Sequence, residues 1–355
     1  MANLKIPESS STVRVRMFDT TTNMVVNAGM FLEPVVPGHE NLNLSTVGFL
    51  IEHESLGKKV VFDLGAKKDF WNLVPFTRDR IPNVCSGLKV DQNASEILQN
   101  ADIDLNSITS VIWSHMHWDH CGDVNTFPVT TELVVGPDFM NNFLPGYPSD
   151  PDGKLLEQWF EDRPLREISF LSGHQVGDFP AFDFFGDGSF YLLDAPGHCV
   201  GHVCGFARTT PDTFIFMGGD ICHFPGYFRP SPSLPLPGPL SEHASSKTSP
   251  FYIVTRNEQS VYADRERSID SIKKMEALDG SLNVLVCIAH DPSLLHNLPV
   301  LNKTPSEDLN EWKARGFKEK CLWGFLDELP KNGQPGRKPL VEGIWKEGRV
   351  VNSLS

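Results

Sequence analysis

Between Ser114 and Asp123 the chain reads SHMHWDHCGD, which sets His115, His117, Asp119 and His120 within six consecutive positions of a 355-residue chain holding only 12 histidines. Imidazole nitrogens with a carboxylate at this density suit Zn²⁺, and also Mn²⁺ or Fe²⁺. Alternate side chains of an extended segment share a side, so His115 and His117 can address one ion. Asp119 and His120 come from the turn that follows and can address a second. Three further donors stand just after apolar runs: His198 in DAPGHCVGH, Asp220 ending FIFMGGD, and His290 in LVCIAHD. A single polar residue at a strand end is commonplace. Three of metal-ligating type, beside H-x-H-x-D-H, point to one site assembled from several strand ends.

The segments that carry these residues read as strands. VRVRMF, MVVNAGMF, TVGFLIEH and KKVVFDLG open the chain after Val13, and SITSVIWSH runs straight into the histidine cluster. TELVVG, GSFYLLDAPGH, HVCGFAR, TFIFMGGD and LNVLVCIAHD continue the pattern. Helical periodicity is confined to ASEILQNAD, with Asn93 as its cap, to residues 154–163, to ADRERSIDSIKKMEAL and to LNEWKARGF. Strands in the majority with interspersed helices suit an α+β arrangement of sheets packed face to face, helices outside. Residues 1–12 read as a loose tail. The proline-rich stretch 225–250 reads as a loop over the site, since it follows a candidate ligand directly.

The order H-x-H-x-D-H, P-G-H-x-x-G-H, G-G-D, A-H-D resembles the metallo-β-lactamase superfamily from about Val13 to Pro292. The resemblance implies one αββα domain over 1–355, two mixed sheets, and a dinuclear site at one sheet edge. It places His115, His117 and His198 on the first metal, Asp119, His120 and His290 on the second, and Asp220 between them. Asp63, in VVFDLG, is then a support for the ligand loop, and His202 supports rather than binds. Two Zn²⁺ are implied, with a metal-bridging hydroxide attacking a carbonyl and Asp119 carrying its proton to the leaving group. An all-His/Asp set is nearest the N-acyl homoserine lactonase-like branch and fungal members that open lactones or lactams. Those lactonases place a tyrosine three residues beyond the bridging Asp, where this chain has His223; His223 or Tyr227 is the candidate to bind the carbonyl oxygen.

The reading is therefore a hydrolase of small cyclic esters or amides. A thioesterase or aryl/carboxyl esterase is the second reading, and a mononuclear iron oxygenase the third. The 24 phenylalanines and runs such as FWNLVPF and FMNNFLPGY suggest a pocket for an apolar or aromatic part of the substrate. A net charge of −14 argues against nucleic acid and anionic membrane as partners. No apolar run reaches 18 residues, and MANLKIPESSSTVRV lacks the apolar middle of a secretory signal. Seven cysteines without paired spacing read as reduced thiols of a cytoplasmic protein. Cys121 and Trp118 read as packing residues, Trp118 pointing away from the metals. Residues 300–355 are either a cover for the domain or a contact between two copies.

Overall fold

Alternating apolar residues along the extended segments build two sheets in a computed structural model that describes residues 5–239, 243–351 and 354. Among the described residues the larger sheet has nine strands, in the spatial order Arg349–Val351, Gly343–Lys346, Cys85–Val90, Arg14–Asn27, Asn41–His53, Lys58–Phe62, Ile108–Ile112, Glu132–Val135 and Leu165–Glu167. The smaller has six, ordered Val284–Cys287, Thr213–Met217, Val203–Thr210, Phe190–Asp194, Phe179–Asp183 and His174–Val176. Val15, Met17, Phe49 and Phe62 of the first meet Leu192, Val203, Ile215 and Leu285 of the second in one buried cluster. Each such side chain contributes about 1.5–3 kcal/mol, which makes this interior the main source of stability. The apolar faces of the helices Ala94–Asn100 and Arg265–Asp279 belong to a separate cluster on the outer faces of the sheets. This is the αββα sandwich expected from the motif order.

Strand direction gathers the chemistry at one edge. Lys58–Phe62 and Ile108–Ile112 run parallel, as do Thr213–Met217 and Val284–Cys287, so their C-terminal ends lie side by side. Asp63, the histidine cluster, Asp220 and His290 all follow directly from such ends. Backbone bonds stitch the two sheets together there, Val203 N–H donating to Ser114 O (2.8 Å) and Val47 N–H to Ala289 O (3.2 Å), while Ala289 N–H donates to Gly219 O (3.0 Å) within the smaller sheet.

Three expectations change. Residues 154–163 form only a 3₁₀ turn, Glu157–Trp159, because the preceding backbone pairs with Tyr147: Tyr147 N–H donates to Leu155 O and Glu157 N–H to Tyr147 O. The spacing of Leu155 and Trp159 mimics a helix, yet it comes from irregular chain that buries both. LNEWKARGF is a run of turns, with a helix only at Phe317–Cys321, since Leu309 N–H donates to Val15 O (2.8 Å) and Trp312 fills the sandwich interior. Residues 5–12 are irregular but not loose, for Arg208 donates to Pro7 O (2.6 Å) and Gly177 N–H to Lys5 O (2.8 Å). Residues 1–4 of that expected tail lie outside the described residues, as do 240–242 of the proline-rich stretch and 352, 353 and 355. The described part of 300–355 covers its own domain, adding Gly343–Lys346 beside Cys85–Val90. No helix among the described residues is long and apolar enough to cross a membrane.

The proline-rich stretch enters the fold through Arg229, which is 2% exposed and clamps Asp279 with two bonds of 2.8 and 2.7 Å. Asp279 closes the helix Arg265–Asp279, so this pair ties the stretch to the helix. Truncation of Asp279 leaves the buried Arg229 charge with only Asp291, 3.9 Å away, as a counter-charge. Asp279→Ala is expected to cost about 3–5 kcal/mol in urea denaturation, and a loss below 1 kcal/mol would show that the clamp is not structural.

Candidate metal centre

The histidine cluster is held by its neighbour turn. Asp63 adopts φ +59° and turns its carboxylate under the cluster, where Oδ1 accepts from Ser114 N–H (2.7 Å) and Oδ2 from Ser114 Oγ (2.8 Å) and His120 Nδ1 (2.8 Å). The two turns also zip by backbone, Leu64 N–H to His120 O (2.9 Å) and Gly122 N–H to Gly65 O (2.8 Å). Gly65, at φ +71°, packs so closely that a Cβ there would lie 2.3 Å from Thr20. Thr20 belongs to a bulge in which Thr20, Thr21 and Thr22 stand opposite Thr46 alone. The excess of two residues keeps the facing of the strand unchanged, while Thr22 Oγ1 accepts from Ala66 N–H (2.9 Å) and fixes the turn.

Seven residues converge as two groups sharing one carboxylate: His115, His117, His198 and Asp220, and Asp119, His120, Asp220 and His290, with the ligand atoms of each group within 4.8 Å of one another. His115 and His198 Nε2 lie 3.5 and 3.4 Å from Asp220 Oδ2, whereas His120 and His290 Nε2 lie 3.0 and 3.1 Å from Oδ1. Three of the outer ring nitrogens are spoken for, whereas His198 Nδ1 is buried with no hydrogen-bond partner. His115 Nδ1 faces Ser114 Oγ (2.9 Å), His120 Nδ1 faces Asp63, and His290 Nδ1 faces Ser45 O (2.9 Å). Each acceptor places the ring proton on Nδ1 and leaves the Nε2 lone pair facing inward. His115, His120 and His290 Nε2, with Asp220 Oδ1, are buried and have no hydrogen-bond partner. Buried polar atoms left so are rare, and lone pairs converging on a carboxylate call for cations between them. The donor set fits divalent metal.

Charge in the pocket is uneven. Burial alone would raise the Asp220 carboxyl, but His120, His223 and His290 hold it well below its ordinary range. Burial, aided by Asp220, raises Asp119. Burial would lower His120, yet Asp220, Asp63 and Asp119 lift it well above the usual imidazole range. Burial and the adjoining imidazoles instead lower His115 and His117.

The remaining predicted residues fall into place around Asp220. His202 supports it: Asp220 N–H donates to His202 Nε2 (3.0 Å), and His202 Nδ1 donates to Ala195 O (3.0 Å). His223 lies on the cavity wall with Nε2 3.1 Å from Asp220 Oδ2 and Nδ1 2.8 Å from the Tyr262 hydroxyl. Burial lowers His223 to about 4 despite Asp220, so the ring is neutral with one proton. An ionised carboxylate needs a donor, which puts that proton on Nε2 and makes Tyr262 the donor to Nδ1. His223 is thereby committed to Asp220 rather than to a substrate carbonyl. Tyr227 is corrected outright, for its hydroxyl donates to Phe31 O (2.6 Å) and it does not line the cavity. Tyr262 had no sequence signal, being one aromatic in an irregular segment far from any motif. The His198 turn is pinned by the same region, since Ala263 N–H donates to His198 O (2.9 Å).

Above the two groups opens a cavity of about 490 Å³. Met24, Val26, Leu44, Ile81, Met116 and Trp118 form much of its wall. Trp118 therefore faces the cavity, contrary to the extended-strand expectation, because Trp118–Cys121 is a helical turn and only residues up to His117 are extended. Cys121 packs as expected, its thiol 3.6 Å from His115 O, and neither Cys121 nor Cys222 joins a ligand group among the described residues. The described part of 225–250 contributes nothing to the wall. Its burial from Pro225 to Ser231 makes it a packed strap instead of a lid.

Comparison with known proteins agrees with this geometry. Residues 44–215 match the family model described as the metallo-beta-lactamase superfamily. The chain is 41% identical to the metallo-hydrolase mfmC of Annulohypoxylon moriforme, covering 92% of this chain and 90% of that one. It is 39% identical to the gamma-lactamase FDB1 of Fusarium pseudograminearum, covering 93% and 87%. A crystal structure of a mutant of B. thuringiensis AiiA with N-decanoyl-L-homoserine bound superposes with a TM-score of 0.57 over 82% of this chain and 98% of that chain; at 16% identity the likeness is one of fold.

Since Asp63 orients His120 from outside, it can be tested apart from the ligands. Asp63→Asn should weaken the metal held through His120 by roughly 10–100-fold in a chelator competition titration. Unchanged affinity at both positions would remove Asp63 from the account.

Proposed function

This chain belongs to the metallo-β-lactamase superfamily, and on that premise we propose that it is a dinuclear zinc hydrolase opening a small cyclic ester or amide. The observation that carries the reading is the pair of donor groups sharing Asp220 at the floor of an apolar cavity. His115, His117 and His198 would hold one ion and Asp119, His120 and His290 the other. Two zinc ions so held supply Lewis-acid polarisation of a carbonyl and a water acidified toward neutral pH. The lactam-opening name of the Fusarium relative supports a cyclic amide among the substrates.

The chain's own residues supply the rest. Asp220 stays ionised and is oriented from two sides, its backbone by His202 and its Oδ2 by His223, itself steadied by Tyr262. Asp119, whose carboxyl burial and Asp220 push upward, lies on the cavity wall and is the group placed to pass a proton to the leaving nitrogen or oxygen. The apolar wall seats the acyl or aryl portion and presents the carbonyl to the floor. Ring opening needs no leaving group to depart, which suits a cavity closed at one end by the ligands.

Zinc-loaded protein should open members of a panel of γ-lactones and γ-lactams, with lactone opening read as acid release and lactam opening read by chromatography of the amino-acid product. Asp220→Ala should cost more than the roughly 100-fold upper end for residues that merely support ligands. A metal-replete sample that opens no member of either class would overturn the proposal.

A further inference from the structure

Beyond its floor, the cavity wall carries only two charged side chains among the described residues, Arg80 and Lys154, and both are cations. Both are exposed, unlike the buried Asp119 and Asp220 of the floor. One aromatic ring organises them. The Arg80 guanidinium carbon lies 3.5 Å from the Phe76 ring centroid, and Lys154 Nζ lies 5.3 Å from the same centroid and 6.0 Å from that of Phe143. Arg80 also donates from NH1 to Phe76 O (3.0 Å), which fixes the guanidinium over the ring and leaves most of its five N–H groups unused.

Neither cation has a carboxylate within 4.0 Å among the described residues. The neighbouring Arg78, by contrast, is paired to Asp79 at 2.8 Å. Like charges held on one ring repel unless an anion lies between them. Thr77 and Asn142 add neutral hydrogen-bonding groups to the same part of the wall. A solvated surface has no reason to bring two unpaired cations from separate segments onto one cavity rim.

We propose that Arg80 and Lys154 form an anion-binding rim, so that the substrate carries a carboxylate or similar anion at the end remote from the carbonyl that is opened. This rests on the ring-opening function above and narrows its substrate class to amphiphiles with an apolar or aromatic body and one distal negative charge. It adds a charged end to the apolar or aromatic part of the substrate expected from the sequence. Arg80 and Lys154 are specificity-determining residues that touch the substrate away from the reacting atoms.

The test compares an aryl γ-lactone bearing a para-carboxylate with its carboxamide, in wild type, Arg80→Ala, Lys154→Ala and Arg80→Glu. Exposed ion pairs reach about 1 kcal/mol, so KM for the carboxylate should rise roughly fivefold per cation removed, further for Arg80→Glu, with kcat kept. KM for the carboxamide should not move. In parallel, calorimetry on the metal-free protein follows 4-cyclopentylbenzoate, which has no ring to open; its affinity should fall in step with the carboxylate KM. Equal effects on both lactones, or no effect on either together with rim-independent binding, would overturn the proposal. Rim-dependent binding of 4-cyclopentylbenzoate without turnover of either lactone would uphold the rim and count against ring opening.

Discussion

A carboxylate shared between two sets of imidazoles, and buried with them, is the constraint on which this structure turns. Asp220 is 2% exposed, and its two oxygens face different histidines. Burying a charge is costly unless it is matched by opposite charge and hydrogen bonds. The edge of the sandwich meets that demand because several parallel strands end there together: four donors follow Ile108–Ile112, and Asp220 and His290 follow Thr213–Met217 and Val284–Cys287. A rigid interior of apolar side chains between the sheets keeps those ends in register.

The support extends outward in layers, each with a distinct chemical task. Asp63 and Ser114 orient the first cluster, Ser45 O orients His290, and His202 with His223 orients Asp220. Behind these stand the Thr20–Thr22 bulge under the Asp63 turn, and Tyr262, which backs His223 and packs edge-on against His198. The site is specified as much by the acceptors outside it as by the donors within. The apolar wall and cationic rim then decide what can reach the floor.

Much of this was legible in the chain. The ligand set stood out because metal-binding residue types recur at fixed spacing after apolar runs, and strand ends are where such residues gather. The cap at Asn93 and the strands that lead into the site were equally readable, since period-two burial and capping are local, whereas short or edge strands such as Cys85–Val90, Leu165–Glu167, Phe179–Asp183 and Gly343–Lys346 gave no such signal. What failed was whatever depends on tertiary partners. Trp118 read as turned away because extended geometry was assumed one residue too far. Tyr227 read as catalytic by proximity to Asp220, whereas Phe31 O claims its hydroxyl. The proline-rich stretch looked like a lid, yet the buried Arg229–Asp279 pair, invisible to composition, makes it part of the body. Arg80 and Lys154 are unremarkable in sequence and acquire meaning only on one shared ring.

The central claim is that seven side chains form two metal positions hinged on Asp220. It is tested most directly by anomalous diffraction at the zinc edge from crystals of zinc-loaded protein. The account predicts two peaks, one beside His115, His117 and His198 and one beside Asp119, His120 and His290, both in contact with Asp220. A single peak, or strong density away from Asp220, would contradict it.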